Sequence, residues 1–203
     1  MSPHAQGLVD VGKLVYTFAK VKRATYLDDA KTLESDTDHT VMLSVCACAY
    51  AGKLYPELDL GKVAQFAIIH DLVEAYAGDT DSFGISSQGR NAKEEREHQS
   101  LLRIHKEFDV TFPWIGNTID EYEKLSSKEA RFVKTIDKAM HKISHILNGG
   151  QYFKNRGLSQ EEMVRDYTTM VRGAEQKYGA EFPEVVTLLE ELMEEARKKT
   201  YGY

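Results

Sequence analysis

Three residues that can do chemistry lie inside the otherwise apolar run Phe66–Asp79, namely His70, Asp71 and Glu74. An ionised carboxylate in apolar surroundings is costly unless it is paired or binds a metal. The run predicts the second half of a buried helix over residues 59–78. In that helix His70 and Glu74 share a face, and Asp71 lies about 100° round the axis. Such a set can bind a divalent cation, although a salt-bridged core pair would show the same dipeptide.

Two further polar residues fall on apolar helix faces elsewhere in the chain. His39 begins the apolar stripe of a helix predicted from the cap cluster at residues 36–38 to Pro56. Asp137 lies within the stripe of a helix predicted over residues 126–148. With the histidine and aspartate of the first run they supply two imidazoles and two carboxylates. This set suits one divalent ion such as Mn, Co, Fe or Zn, with positions left for water or substrate.

Composition and charge narrow the classes of partner. A chain of 203 residues with 42% hydrophobic and 29% charged residues is typical of a soluble protein of one domain. The net charge of −6, without a run of Lys or Arg, argues against a duplex nucleic acid partner. Neither a membrane span nor a signal peptide is evident, so we expect no membrane partner. Cys46 and Cys48 are placed as unpaired core residues of a reducing, cytoplasmic compartment.

Apolar residues recur at helical spacing along most of the chain, which predicts an all-α fold. We expect one compact helical domain over residues 1–203, with a motif-bearing core over about 8–155 and C-terminal helices over about 159–199. Further helices are predicted over residues 7–20, 91–108 and 118–125, from the Ser159–Glu162 capping box and from Pro183. A polar connector is predicted after residue 21, and a loop over residues 79–90 could act as a lid.

The order of the four candidate ligands resembles that of the HD-domain metal-dependent phosphohydrolases. His39, the pair His70-Asp71 and Asp137 follow the H…HD…D order of that family. The match is closer to the HD-domain 5′-deoxynucleotidases, and it covers roughly residues 10–155. This resemblance implies an HD-domain helical bundle.

Residues outside the H…HD…D set carry the closer match. The 5′-deoxynucleotidases have a glutamate and an aspartate after the HD pair, at the spacings of Glu74 and Asp79. They also have an arginine upstream of the first histidine, which Arg23 matches. Lys138, directly after the last aspartate, and the later pair Gly149-Gly150 resemble a downstream helix of that family.

The resemblance implies hydrolysis of the 5′-phosphate of deoxynucleoside monophosphates by a homodimer or higher oligomer. It implies one divalent metal ion, with a further Mg or Mn ion arriving with the substrate. The scaffold also resembles phage dATP triphosphohydrolases, so hydrolysis of a dNTP is an alternative, and a non-catalytic nucleotide sensor is a second. The implied site residues are His39, His70, Asp71 and Asp137 for the metal, Glu74 and Asp79 for proton transfer, and Arg23, Lys22 and Tyr26 for the substrate.

Two features bear on which nucleotide is used. The family has a tryptophan directly after the upstream arginine, where a ribose 2′-hydroxyl would lie, and this chain has Ala24. Unless Tyr26 fills that space, we expect discrimination against ribonucleotides of only about 10- to 200-fold. The few cations near the motif favour a monophosphate, because a triphosphate would need the loop to bring Arg90 or Lys93 inward.

Other polar residues of the Asp137 helix leave alternatives open. His141 and His145 follow at intervals of four, either as a second metal stripe or as a partly exposed histidine pair. Lys134 and Lys138 flank the aspartate, either as phosphate contacts or as solvated lysines.

Overall fold

The computed structural model describes residues 1–202 as a bundle of helices with one small β-hairpin. This confirms the predicted all-α fold class. In chain order the elements are α1 (Pro3–Phe18), β1 (Lys22–Tyr26), β2 (Leu33–Ser35), α2 (Asp36–Leu54), α3 (Leu60–Ile69), α4 (Glu74–Ala77), α5 (Ser87–Phe108), α6 (Trp114–Glu123), α7 (Lys128–Leu147), α8 (Gln151–Arg156), α9 (Gln160–Tyr178) and α10 (Pro183–Tyr201).

Helix α7 lies at the centre of the bundle and packs against α2, α3, α6, α9 and α10. Its N-cap is Ser127, whose hydroxyl accepts a hydrogen bond from the backbone N–H of Ala130. It ends just before Gly149 and Gly150, whose φ angles of +68° and +73° only glycine adopts without strain. The predicted bounds of this helix are therefore confirmed.

The predicted continuous helix over residues 59–78 is wrong in its second half. The chain forms α3, then a turn over residues 70–73, then the single turn α4. The imidazole Nδ1 of His70 lies 2.9 Å from the carbonyl oxygen of Ala67, and the next backbone bonds span three residues instead of four. Because His70 occupies that carbonyl, the helix tightens and breaks at the pair His70-Asp71.

The polar connector predicted after residue 21 contains the antiparallel hairpin of β1 and β2. Lys22 pairs with Ser35 and Tyr26 with Leu33. Ser35 then caps α2 in a capping box with Asp38, one residue before the predicted cap cluster. The hairpin therefore leads directly into the helix that carries the first candidate metal ligand.

Several helix ends differ from the predicted ones, and α8 was not predicted. Helices α1, α5 and α6 each begin about four residues earlier than expected. In α5 the hydroxyl of Ser86 accepts a hydrogen bond from Gly89, and this N-cap shortens the predicted loop. Helix α8 is too short for a helical period to show in the sequence, yet it buries Tyr152 and Phe153.

Two clusters of buried side chains form the core. The larger one joins α1–α7 to the second half of α9 and the start of α10, and the smaller one is built on Tyr152, Phe153, Met163, Tyr167 and Ala196. Cys46 and Cys48 are partly buried free thiols. Within residues 1–202 no helix has both the length and the apolar character needed to cross a membrane.

We expect Gly150→Ala to lower the free energy of unfolding by about 2–4 kcal/mol in urea denaturation. A Cβ at Gly150 would lie 2.0 Å from Oγ1 of Thr200, and the φ angle is positive. Gly157→Ala is the matched control, because its φ of +63° is similar and no atom lies within 4 Å of the added Cβ. Equal unfolding midpoints for the two variants would contradict the predicted packing of α8 against α10.

Candidate metal centre and active site

Three of the four predicted metal ligands converge at one point. His39 comes from α2, His70 from the turn after α3 and Asp137 from α7, and one ligand atom of each lies within 4.8 Å of the others. Nε2 of His39 lies 3.0 Å from Oδ1 of Asp137, and Nε2 of His70 lies 3.8 Å from the same oxygen. Both histidines are buried.

The hydrogen bonding of His70 fits a metal ligand. Its Nδ1 donates to the carbonyl oxygen of Ala67, which leaves a lone pair on Nε2. That Nε2 is buried, has no hydrogen-bond partner within the described residues, and lies 3.0 Å from Oδ2 of Asp71. A lone pair that faces carboxylate oxygens is stabilised by a cation, and the donor set of imidazole and carboxylate suits a divalent one.

Asp71 lies beside this group, between the metal position and Arg23. Its Oδ2 is 3.0 Å from Nε2 of His70 and 3.2 Å from Nη1 of Arg23. It is therefore adjacent to the three converging ligands without belonging to the set that lies within 4.8 Å.

Glu34 is a site residue that the sequence reasoning missed. Its side chain is buried, its Oε1 lies 3.3 Å from Nδ1 of His39, and its Oε2 accepts a hydrogen bond of 2.8 Å from Ser144. Burial lowers the pKa of His39, but the bonds to Asp137 and Glu34 outweigh it and raise that pKa to about 9. A carboxylate behind a ligand histidine fixes the ring orientation. The residue was missed because its strand was predicted as a connector.

Arg23 is the internal counterion of an acidic cluster. Its Nη1 lies 3.2 Å from Asp36 and from Asp71, 3.8 Å from Glu74 and 3.9 Å from Asp79. Burial alone would lower the pKa of Arg23, but the neighbouring carboxylates raise it well above its usual range. Oxygens of three of these residues also lie within 4.8 Å of one another, and the guanidinium takes the place of a second cation there.

Glu74 is placed to hold a proton. Its side chain is 1% exposed, and its Oε1 accepts a hydrogen bond of 3.2 Å from Lys93. Burial, followed by repulsion from Asp71, raises the pKa of Glu74 to about 9. Burial also raises the pKa of Asp79, although Arg23 opposes the shift. Burial and the neighbouring carboxylates therefore favour the protonated form of Glu74, against the opposing effect of Lys93.

A cavity of about 240 Å³ opens on these residues. Arg23, Ala24 and both candidate acids line it, together with Lys134 and Lys138 of α7. Within residues 1–202 neither lysine forms an ion pair, and burial lowers the pKa of Lys138. Their position in the cavity wall therefore favours phosphate contacts over the alternative of two solvated lysines.

Two predicted substrate residues do not line the cavity within the described part of the chain. Lys22 is exposed, and its ammonium donates to the carbonyl oxygen of Leu33 at 3.4 Å. The hydroxyl of Tyr26 accepts a hydrogen bond of 2.8 Å from Asn155. The directions of both side chains are set by the pairing of β1 with β2, and the sequence predicted a connector there instead of a hairpin.

His141 and His145 are not a partly exposed pair. His145 is only 4% exposed and its Nδ1 bonds to the hydroxyl of Tyr167, while His141 is partly buried and lines the cavity. Within residues 1–202 their ring nitrogens and the carboxylate of Asp137 do not form a group of converging ligand atoms. The reason is that residues four apart on a helix lie about 6 Å apart along its axis, so these side chains spread along α7.

The comparisons agree with this geometry. The model of the HD domain family matches residues 17–177, which is most of the chain. The chain belongs to the HD domain family. Membership assigns it to the metal-dependent phosphohydrolases and implies a divalent metal ion.

Named relatives are distant. The 5′-deoxynucleotidase YBR242W of Saccharomyces cerevisiae is 26% identical over 67% of this chain and 58% of its own length, so the match spans little more than half of that protein. The 5′-deoxynucleotidase HDDC2 of Bos taurus is 24% identical over 98% of this chain and 90% of its own. A crystal structure titled as a predicted metal-dependent phosphohydrolase from Magnetospirillum magnetotacticum MS-1 superposes with a TM-score of 0.76 at 21% identity, over 98% of both chains, which shows a shared fold.

We expect Asp137→Ala to lose its bound divalent metal, because it removes one of three converging ligands. His141→Ala, one turn along the same helix, is the control that should keep the metal. Elemental analysis of both purified proteins after dialysis against manganese measures the difference. Full metal content in a folded Asp137→Ala protein would remove this residue from the ligand set.

Proposed function

We propose that this HD-domain phosphohydrolase removes the 5′-phosphate of deoxynucleoside monophosphates. The observation that carries the proposal is one cavity that brings together three residues able to hold a divalent metal, a buried glutamate of raised pKa and two lysines that form no ion pair within residues 1–202. Relatives named 5′-deoxynucleotidases support the substrate class.

The metal would be held by His39, His70 and Asp137, with Asp71 beside them. When bound, a divalent ion of this kind polarises a phosphoryl oxygen and lowers the pKa of a bound water. Glu34 keeps the imidazole of His39 in position through its contact with Nδ1.

Lys134 and Lys138 flank Asp137 on α7, and their ammonium groups bind the phosphate oxygens. Arg23 also lines the cavity, but its Nη1 is already engaged by carboxylates. Its main role is therefore to keep the acidic cluster compatible with burial, and its remaining nitrogens can add to phosphate binding.

Glu74 supplies the proton that the leaving 5′-oxygen needs. Its raised pKa favours the protonated form, and the bond from Lys93 fixes one of its oxygens. Asp79, whose Oδ1 lies 3.9 Å from Nη1 of Arg23, orients the attacking water or accepts a proton from it.

The count of cations supports a monophosphate over a triphosphate. A phosphate monoester carries about two negative charges at neutral pH, which the two lysines on α7 match. Lys93 donates a hydrogen bond to Glu74 and forms an ion pair with Glu97, and Arg90 lies exposed on α5. A triphosphate would leave further charge uncompensated.

The deciding experiment incubates dAMP, AMP and dATP separately with protein and manganese and resolves the products by anion exchange. Orthophosphate from dAMP with dATP intact supports the proposal, and intact triphosphate from dATP overturns it in favour of a dATP triphosphohydrolase. No turnover with retained nucleotide binding indicates a sensor. Because Ala24 lines the cavity, we expect dAMP to be preferred over AMP by only about 10- to 200-fold in kcat/KM.

We expect Glu74→Gln to lower kcat by roughly 10²- to 10⁴-fold with metal retained, because it keeps shape and removes the proton. Glu97→Gln is the matched control, since both carboxylates contact Lys93 but Glu97 lies outside the acidic cluster. Steady-state kinetics with dAMP separate them. A Glu74→Gln protein as active as Glu97→Gln would show that Glu74 is structural.

Assembly as a dimer or higher oligomer and a cytoplasmic location stay predictions from the family resemblance. Light scattering on the purified chain measures the first.

A further inference from the structure

The cavity does not end at the metal ligands. It continues along α7 from Asp137 past His141 to His145, which are spaced by one helical turn of about 6 Å each. The part that we call the inner chamber is lined by Phe83, His141, His145, Tyr167 and Met170. None of the roles proposed above uses these residues.

Two ring nitrogens at the wall of the inner chamber lack a partner. Nε2 of His141 and Nε2 of His145 are buried, and neither has a hydrogen-bond partner within residues 1–202. His145 is 4% exposed, so the desolvation of its free nitrogen is not offset by the protein. A buried polar atom left unpaired beside a cavity points to a ligand that completes it.

The protonation of His145 follows from its contact with Tyr167. Within residues 1–202 the buried Tyr167 hydroxyl has no partner other than Nδ1 of His145, so it is satisfied as a donor when the neutral ring carries its hydrogen on Nε2. Burial lowers the pKa of His145 to about 3 and holds that of His141 well below its usual range, and the Lys142 ammonium adds to both effects. Both rings are thus neutral at neutral pH. The two imidazoles therefore offer hydrogen-bonding nitrogens without a charge of their own, and the amine of Lys142, which lies against Tyr167 and Met170, has its pKa lowered to about 7 by burial.

The walls of the inner chamber are largely aromatic. The ring centroids of His145 and Phe153 are 4.8 Å apart, those of His141 and Tyr167 are 5.6 Å apart, and Tyr152 and Phe83 pack beside them. A flat heteroaromatic ring can stack on aromatic side chains, and this stacking depends little on which heteroaromatic ring the ligand carries.

We propose that the inner chamber is a nucleobase subsite in which Nε2 of His145 donates a hydrogen bond to a ring nitrogen or carbonyl oxygen of the base. This inference rests on the proposed function, because the phosphate bound near Asp137 sets where the base falls. The two turns of α7 between Asp137 and His145 span about 12 Å, which is the scale of a nucleoside monophosphate.

The test compares dAMP with 2-deoxyribose 5-phosphate, which keeps the sugar and phosphate and lacks the base. In the wild type we expect kcat/KM for dAMP to be at least about tenfold higher, since only dAMP fills the inner chamber. His145→Phe keeps a ring and removes Nε2, so it should reduce this ratio by about 3- to 10-fold, through KM. An equal ratio in wild type and variant overturns the proposal.

A second variant covers failure of His145→Phe to fold. Tyr167→Phe removes the hydroxyl that fixes the tautomer of His145, so it should also reduce the ratio of kcat/KM for dAMP to that for 2-deoxyribose 5-phosphate. A higher metal concentration should not restore the KM of either substrate. His4→Phe, on exposed α1, is the matched control for the same substitution. A ratio in Tyr167→Phe equal to that of His4→Phe counts against the subsite.

Calorimetry with 2′-deoxyadenosine separates this inference from the proposed function. We expect the wild type to bind deoxyadenosine and not 2-deoxyribose, and His145→Phe to bind it about 3- to 10-fold more weakly. Binding of deoxyadenosine without phosphate release from any nucleotide would overturn the proposed function and leave the subsite standing. Hydrolysis of dAMP with no binding of deoxyadenosine and no preference over the base-free substrate would overturn the subsite alone.

Discussion

Burying several carboxylates together is unfavourable unless cations are buried with them. At the floor of the cavity Asp36, Asp71, Glu74 and Asp79 all lie within 3.9 Å of one nitrogen of Arg23. The guanidinium offsets part of this charge, and the raised pKa of Glu74 favours a proton that offsets more. Asp71 also lies beside His70, one of three residues that could hold a divalent metal. The acidic cluster therefore depends on Arg23, on the Lys93 ammonium that bonds to Glu74 and on the protonation of Glu74.

The fold supplies that cluster by interrupting its own helices. Because His70 takes the carbonyl of Ala67, the chain turns at the His70-Asp71 pair, and Glu74 begins a separate helical turn. The hairpin before α2 brings in Arg23 and Glu34 from outside the bundle. Local irregularity at these two places, rather than the regular packing elsewhere, determines the geometry of the site.

The sequence predicted the helical class and four candidate ligands, of which His39, His70 and Asp137 converge, because polar residues on apolar stripes need partners. It could not predict features that depend on tertiary contacts. The break after Ile69 depends on a side-chain bond that periodicity does not show, and a three-residue strand gives too short an alternation to detect. Glu34 was missed for that reason.

The cavity changes character along a single helix. At the Asp137 end of α7 the surroundings are ionic, with lysines and carboxylates that suit a metal and a phosphate. Two turns on, at His145, burial has removed charge from the imidazoles and aromatic rings form the walls. Burial lowers the pKa of Lys142, the one lysine of α7 at this second end, to about 7, so a charged group is less favourable there than beside Asp137. The proposed direction of a nucleotide, with its phosphate towards Asp137, agrees with this gradient along α7.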